Sequence, residues 1–368
     1  MPNVVIIAVR NLFGEKGRLL ITAGGVAFSV MLILVLIGLY NGWNKQMTKF
    51  LGSLPADLWI GQQGSGDTSH SVSLLPSNLG EELKKIQGVE RVTGFVGRRM
   101  GIKIDGKESV LSLIGVDQNG VIKPYNIVEG NQTPKTGEVI IDRTFARDKD
   151  LAVGKTIDIA GKIFTIAGIS SGGNMLAYTY AFAAEGDLRE LFSFQSFTNY
   201  FLVQTKDPGK TAVSLKDSFP NLEVMNRKEF LDINTSLIRE VFLPIIGILA
   251  AIALAIGIAV IGLTIFTATI EKSKEFGVLK AIGYSGGELL SIILIQSFSA
   301  GILGFILGNI LTLLIVPPAQ SAVSSFLYEA GWPEISAVFG ATMAISFIAA
   351  FIPLKRLSSI DPAQVFKA

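Results

Sequence analysis

Four long windows without a single charged residue constrain this 368-residue sequence more than any other feature. A helix of about 20 apolar residues crosses the roughly 30 Å hydrocarbon core of a bilayer, and every window reaches that length. The pattern predicts a membrane protein with four transmembrane helices and one large water-exposed domain between the first and the second. The predicted spans are residues 19–42, 241–270, 289–316 and 335–354.

Lysine and arginine near the span ends predict the orientation of these helices. Such residues lie at 1–18, 271–288 and 355–368, whereas the connection at 317–334 contains none. Because basic residues concentrate in cytoplasmic segments, we expect both termini in the cytoplasm. The sequence then predicts a multi-pass protein of the bacterial inner (cell) membrane. It would have an amphipathic helix at 1–18, a cytoplasmic tail at 355–368, and an external domain and loop at 43–240 and 317–334.

Several classes of chemistry are excluded by residues that the sequence lacks. It contains no cysteine, its only histidine is His70, and the four spans hold no Asp, Glu, Lys, Arg or His. These absences remove thiolate catalysis, cysteine–metal sites and most histidine chemistry. Spans without charge also argue against an ion-coupled carrier. The formal net charge of +2 gives no reason to expect a nucleic-acid partner. We expect no catalytic residue and no metal site.

The region 43–240 has the pattern of a soluble α+β domain. Alternating apolar residues flank Asp105–Gly106 and again Ala160–Gly161, and both patterns predict β-hairpins. Residues 77–92 have the pattern of a capped helix that starts at Ser77 or Asn78. We expect two lobes, with an outer lobe of about 117–195 inserted between the halves 44–116 and 196–238 of the other.

Residues 271–288 interrupt the apolar region with a short segment that has a helical period of its own. Phe276, Leu279 and Ile282 recur at spacings of three, and Gly283 is placed to end the helix. No cytoplasmic domain of this chain is predicted to cover that apolar ridge. It could lie on the membrane surface, or it could enter a groove on another protein.

Three glycines in the third span give it a face of small residues. Gly301, Gly304 and Gly308 follow one another at intervals of three and four. Such spacing permits close approach of a second helix, although glycine is also common in membrane helices that make no such contact.

Five stretches of the sequence resemble one family, the FtsX-like permeases with a MacB-like core, which are membrane subunits of type VII ABC transporters. The most specific is EKSKEFGVLKAIGYS at 271–285, combined with the ending PLKRLSSIDPAQVFKA at 353–368. The amino-terminal run AVRNLFGEKGRLLIT also fits the family. The segments LWIGQQGSGD and AVGKTIDIAGKIFTIAGI resemble its extracytoplasmic core more loosely.

The resemblance implies that residues 271–288 form a coupling helix that docks on a separate ATPase. No Walker A pattern occurs in the sequence, so ATP and Mg would be bound by two partner ATPase subunits and no cofactor by this chain. A second permease copy or a paralogue would complete the complex, with an adaptor protein as a further possible partner. The residues implied to contact the ATPase are Glu271, Lys274, Glu275, Phe276, Val278, Leu279, Lys280, Ile282 and Gly283.

The mechanism that the resemblance implies is mechanotransmission, in which ATP hydrolysis changes the conformation of the external domain. The expected function is export or extraction of a lipid, lipoprotein, peptide or drug-like substrate. The alternative is a signalling permease that regulates an extracellular cell-wall hydrolase. The chain by itself is not expected to be an enzyme.

Overall fold

The computed structural model describes residues 4–66, 73–104, 106–117, 120–175, 178–323 and 325–353, and the chain divides into two compact units. One unit is Trp43–Glu240, and the other combines the residues before it with those after it. His70 and the tail at 355–368 lie outside the described residues. The helices are α1 Val4–Gly14, α2 Lys16–Ser53, α3 Leu79–Leu83, α4 Arg143–Asp148, α5 Glu185–Leu191, α6 Pro208–Ser218, α7 Arg227–Leu237, α8 Leu243–Glu271, α9 Ser273–Ala281, α10 Gly286–Ala322 and α11 Trp332–Ala350.

Four helices in the described part of the chain are long and apolar enough to cross a membrane. They are Lys16–Ser53, Arg239–Glu271, Gly286–Ala322 and Trp332–Ala350, so the prediction of four membrane helices is confirmed. The last of them ends at Ala350, before the predicted end of the fourth span at 354. Helices α1 and α9, both short, belong to the same unit.

Hydroxyl groups buried among these helices donate to backbone carbonyl oxygens. The hydroxyls of Thr312 and Thr342 donate to the carbonyl oxygens of Gly308 and Val338 one turn earlier, each at 2.8 Å. The hydroxyl of Ser297 on α10 donates instead to the carbonyl of Ser346 on α11, at 2.5 Å. Since an unpaired polar group is costly in an apolar environment, these bonds let small polar residues lie inside the helical unit.

A turn of π-helix over Ile238–Phe242 joins α7 to α8. Pro244, in the first turn of α8, has no N–H and cannot donate to the carbonyl of Glu240. The wider turn therefore ends two residues before the proline that disrupts regular hydrogen bonding. Helical structure consequently runs without a break from Arg227 to Glu271.

The unit Trp43–Glu240 contains thirteen described strands in two main sheets and one short pair. The strands are β1 Leu58–Gln62, β2 Leu75–Pro76, β3 Val89–Phe95, β4 Gly97–Ile104, β5 Lys107–Val116, β6 Ile127–Gly130, β7 Glu138–Asp142, β8 Thr156–Ile159, β9 Lys162–Ser170, β10 Thr179–Ala184, β11 Phe197–Thr198, β12 Tyr200–Thr205 and β13 Leu222–Asn226.

The first sheet is antiparallel and has the strand order β13-β1-β12-β3. Its alternating side chains build an aromatic core, in which Trp59 of β1 is fully buried and stacks on Phe230 of α7 with ring centroids 3.9 Å apart. Tyr200 of β12 meets both rings edge-on. Stacked and edge-on aromatic pairs stabilise a core beyond the burial of their area.

The second sheet has the order β4-β5-β10-β7-β9-β6, with β8 paired to β9. It is mixed, because β10 runs parallel to β5 and β9 runs parallel to β7. Both predicted hairpins are present: β4 pairs with β5 across residues 105–106, and β8 pairs with β9 across Ala160–Gly161. Ala160 and Gly161 both have positive φ, of 54° and 87°, as a two-residue hairpin turn requires.

The predicted boundary between the lobes is wrong. Strands β4 and β5, at 97–116, belong to the second sheet and not to the first, so the second lobe begins about twenty residues before the predicted position 117. The reason is the parallel pairing of β5 with β10, in which Leu111 lies opposite Thr179. Long-range parallel pairing leaves no local signal in the sequence.

An aromatic cluster fixes the end of α2 within this unit. Phe50 is fully buried, and its ring lies 5.7, 5.0 and 5.2 Å from those of Tyr125, Tyr180 and Phe182. Burial raises the pKa of the Tyr180 and Tyr125 hydroxyls, so both remain protonated at physiological pH. The cluster is a packed core and contains no group poised for acid–base chemistry near neutral pH.

Candidate functional site

The segment between α8 and α10 folds as a short helix that is separated from both neighbouring helices by non-helical residues. Helix α8 ends at Glu271, Lys272 leaves the helical conformation with φ −92° and ψ 15°, and α9 starts at Ser273. At the other end Gly283 has φ +103°, its N–H donates to the carbonyl of Lys280, and the N–H of Tyr284 donates to that of Leu279. This pair of bonds is a Schellman motif, which needs a left-handed residue at the position of Gly283.

The two sides of α9 have different surroundings. Phe276 is 3% exposed and Tyr284 is 4% exposed, and both belong to the core cluster that includes Ala8 of α1 and Ile292 of α10. Val278 and Ile282 are 43% and 61% exposed. Together with the exposed Lys274, Glu275 and Ala281, they form a mixed surface, which we call the α9 outer face.

The sequence-based assignment differs from the structure for Phe276 and Leu279. Both were expected to contact a partner, but Phe276 is buried in the helical unit and the half-buried Leu279 packs against the same cluster. The reason is that residues of α1 and α10 share one apolar cluster with this side of α9. The sequence predicted no segment of the chain that would cover it. Of the predicted apolar contacts, Val278 and Ile282 are the pair left exposed.

Charged residues at the start of this segment meet the junction between α1 and α2. Glu271 pairs with Arg18, which also pairs with Glu15. Lys272 lies 3.4 Å from Glu15 and donates to the side-chain oxygen of Asn11 at 3.0 Å. The side chains of Arg18 and Lys272 are 23% and 18% exposed and that of Glu271 is 61% exposed, so the two cations are partly shielded from solvent and Glu271 is not. Glu271 is therefore held by this chain, which the sequence pattern did not predict.

The remaining predicted charges have other environments. Lys274 and Glu275 are exposed, Lys280 is half-buried, and Gly283 is exposed at the end of the helix. A small cavity of about 40 Å³ lies beside the network, lined by residues including Asn11, Arg18, Thr269, Lys272 and Phe276. A volume of this order holds about one water molecule.

The three glycines of α10 all lie at helix contacts. A side chain at Gly304 would place its Cβ 2.5 Å from the Cβ of Val26 on α2, and one at Gly308 would lie 2.7 Å from the Cβ of Val30. A side chain at Gly301 would meet Ser346 of α11. The absence of side chains therefore permits α10 to approach two neighbouring helices.

Sequence reasoning missed a second pair of glycines, Gly38 and Gly42 of α2. The ring of Tyr328 lies over Gly38, the backbone of Leu327 lies over Gly42, and the N–H of Glu329 donates to the carbonyl of Gly38 at 2.9 Å. We call this contact the α2 groove. The signal was present in the sequence as GLYNG, a glycine pair four residues apart at the end of a predicted span.

A polar contact holds the same groove from α11. The side-chain amide of Asn41 donates to Glu334 at 2.8 Å, and Glu334 also accepts the backbone N–H of Gly331 at 2.8 Å. The connection between α10 and α11 is thus tied to α2 by backbone, aromatic and side-chain contacts.

These features define a class of protein: a multi-pass membrane protein with four membrane helices and an α+β domain between the first and the second. Comparison with known proteins identifies a family within this class. A family model described as the MacB-like periplasmic core domain matches residues 19–218, and one described as the FtsX-like permease C-terminal region matches residues 247–362. Because the first model alone matches more than half of the chain, the chain belongs to the FtsX/MacB-like family of ABC transporter permeases.

Individual relatives are distant in sequence and differ in how much of their length is matched. The chain is 23% identical to an uncharacterized ABC transporter permease of Methanocaldococcus jannaschii, with 100% of this chain and 98% of the relative covered. It is 21% identical to the macrolide export ATP-binding/permease protein MacB of Sodalis glossinidius, covering 98% of this chain and 60% of that one. The solved periplasmic region of MacB from Actinobacillus actinomycetemcomitans aligns with 50% of this chain and 94% of its own, at 14% identity and a TM-score of 0.36.

Proposed function

We propose that this chain is the membrane subunit through which separate ATPase subunits drive a conformational change in an external domain. In this proposal the termini and α9 lie in the cytoplasm, and the domain at 43–240 lies outside the membrane. The excess of lysine and arginine at 1–18, 271–288 and 355–368 supports that orientation. Two ATPases, carrying ATP and Mg, and a second permease copy or paralogue would complete the complex.

The observation that carries the proposal is the α9 outer face. Val278 and Ile282 lie one turn apart and are exposed, while Phe276 on the opposite side fixes the helix to the rest of the unit. An apolar pair flanked by charged residues on a firmly anchored short helix fits recognition by insertion into a groove. The exposed Lys274 and Glu275 would meet the charged rim of that groove, and Lys280 is also placed near it.

Two helical connections support transmission away from α9. Helix α2 is continuous from Lys16 to Ser53, and helical structure is continuous from Arg227 through the π-turn to Glu271. A displacement at the end of a continuous helix is carried along its axis, because the backbone hydrogen bonds resist compression and bending. The first and second spans are therefore the proposed route to the domain at 43–240.

The substrate is proposed by class. Export or extraction of a lipid, lipoprotein, peptide or drug-like molecule is consistent with spans that hold no Asp, Glu, Lys, Arg or His, since the substrate need not cross through them. The name of the Sodalis glossinidius relative, a macrolide export protein, adds macrolides to the compounds to be tested.

The docking surface can be tested by placing a charge on it. In a complex reconstituted in lipid with the ATPase that co-purifies with the chain, Val278→Asp and Ile282→Asp should reduce permease-stimulated ATP hydrolysis at least about tenfold. A buried carboxylate in an apolar contact costs well over the 1.4 kcal/mol that a tenfold change requires. The measurement is the rate of ATP hydrolysis with and without the permease.

Ile163→Asp is the matched control, because Ile163 on β9 is 69% exposed and belongs to the other unit. That variant should retain the wild-type stimulation. Full stimulation in both α9 variants would refute the assignment of this face, and the absence of any co-purifying ATPase would refute the proposed function.

A further inference from the structure

The network at the start of α9 joins two breaks in the helical structure. Glu15 is the non-helical residue between α1 and α2, and Lys272 is the corresponding residue between α8 and α9. The amine of Lys272 lies 3.4 Å from the carboxylate of Glu15. A residue close to each break takes part as well, since Arg18 in the first turn of α2 pairs with Glu271 at the end of α8.

The charges of this network balance. Arg18 and Lys272 supply two positive charges, and Glu15 and Glu271 supply two negative charges. Each isolated surface ion pair contributes little to stability, but several charges in one partly shielded network contribute more. Arg18 is well suited to its place because a planar guanidinium can bind two carboxylates at once, whereas a lysine amine is a single point charge.

A backbone break is where a short helix can change direction relative to its neighbour. Lys272 has left the helical conformation, so α8 alone does not fix the direction of α9. Phe276 fixes one side of α9 by packing, and the charge network holds the two residues that precede α9 against Arg18 and Glu15.

We propose that Glu15, Arg18, Glu271 and Lys272 are positioning residues that hold the start of α2 and the start of α9 together as one mechanical unit. This inference rests on the proposed function and names the joint through which α9 would move the first span. A force applied to the α9 outer face would then reach α2 directly through Arg18 and Glu271, in addition to the path along the chain through the break at Lys272.

The absence of cysteine from the sequence permits a direct test in the full-length chain. The double variant Arg18→Cys/Glu271→Cys removes the ion pair and allows it to be replaced by a short bis-maleimide cross-link. Before cross-linking, the double variant should lose about tenfold in permease-stimulated ATP hydrolysis, which corresponds to about 1.4 kcal/mol of coupling. Cross-linking should restore the rate to within about twofold of wild type, a difference of only about 0.4 kcal/mol.

The single variants Arg18→Cys and Glu271→Cys are the matched controls, because the reagent cannot bridge them within one chain. If Arg18 and Glu271 are needed only for folding, the double variant would lose stimulated hydrolysis and cross-linking would not restore it, which would also overturn the proposal. The proposal is overturned if the double variant is as active as wild type, or if cross-linking lowers the rate further.

The yield of cross-linking is measured in membranes without any ATPase, so it tests the pairing separately from the proposed function. High yield with no ATPase stimulation of the wild-type chain would refute the proposed function while leaving the α2–α9 joint in place. Low yield in membranes that contain the folded chain would overturn the joint, whatever the ATPase result.

Discussion

The helical unit and the domain at 43–240 are packed by opposite means. In the helical unit, α10 approaches α2 where side chains are missing, at Gly304 and Gly308. In the domain, the centre of the first sheet is filled by the largest side chains available, with Trp59 stacked on Phe230. The helical unit gains contacts between helices where side chains are absent, and the domain gains contacts in its core from large side chains.

The difference follows from what surrounds each unit. Water drives large apolar side chains into the interior of the domain. Lipid is as apolar as leucine and provides no such drive, so membrane helices associate through close backbone approach and small residues. Leu20 and Leu313 illustrate this, being 75% and 73% exposed on the helical unit. Exposure of a large apolar residue therefore has different meanings in the two units.

The largest effect is expected in the aromatic core. Trp59→Ala should lower the free energy of unfolding of the domain by about 3–5 kcal/mol, because the cavity is fully enclosed and the stacking on Phe230 is lost. Hydrogen exchange of the β1, β12 and β13 amides in the full-length protein measures the change. Phe197→Ala, at a side chain that is 42% exposed, is the control and should cost less than about 1 kcal/mol. Equal losses in both variants would contradict the distinction between core and surface.

An intermediate effect is expected where a side chain is added between helices. Gly304→Leu should destabilise the helical unit by about 1–3 kcal/mol, because its Cβ would lie 2.5 Å from that of Val26. Gly340→Leu is the matched control, since nothing lies within 4 Å of a Cβ at that position of α11. Thermal unfolding of the purified protein in detergent measures both. Similar melting temperatures for the two variants would show that α2 and α10 do not meet at Gly304.

The smallest effect is expected at a hairpin turn of the domain and has the opposite sign. Ala160 has φ +54°, in a left-handed conformation that disfavours alanine. Ala160→Asn should stabilise the domain by about 0.5–1 kcal/mol, because asparagine tolerates this conformation and Asn-Gly favours the turn. Ala152→Asn, at a loop position outside the strands, is a control for the added amide. A loss of exchange protection across β8 and β9 in the Ala160 variant would contradict the turn assignment.

The sequence predicted the elements whose signals are local. The four spans follow from length and charge, and both hairpins follow from alternation around a turn, as at Ala160–Gly161. It failed where a distant segment decides the outcome. Phe276 was expected to face a partner because the packing of α1 against α10 has no signature within α9 itself. The lobe boundary at 117 failed for the same reason, since β5 is assigned to its sheet by pairing with β10.

The α2 groove determines where the chain can be tagged for study. The connection between α10 and α11 would be an obvious loop in which to insert a tag, but its residues Leu327, Tyr328 and Glu329 contact Gly38 and Gly42. An epitope or fluorophore inserted among these three residues would pull backbone out of the groove and disturb the first span. The turn at Ala160–Gly161, beside the exposed Ile163, accepts a label without such a penalty, because no Cβ contact crowds Gly161.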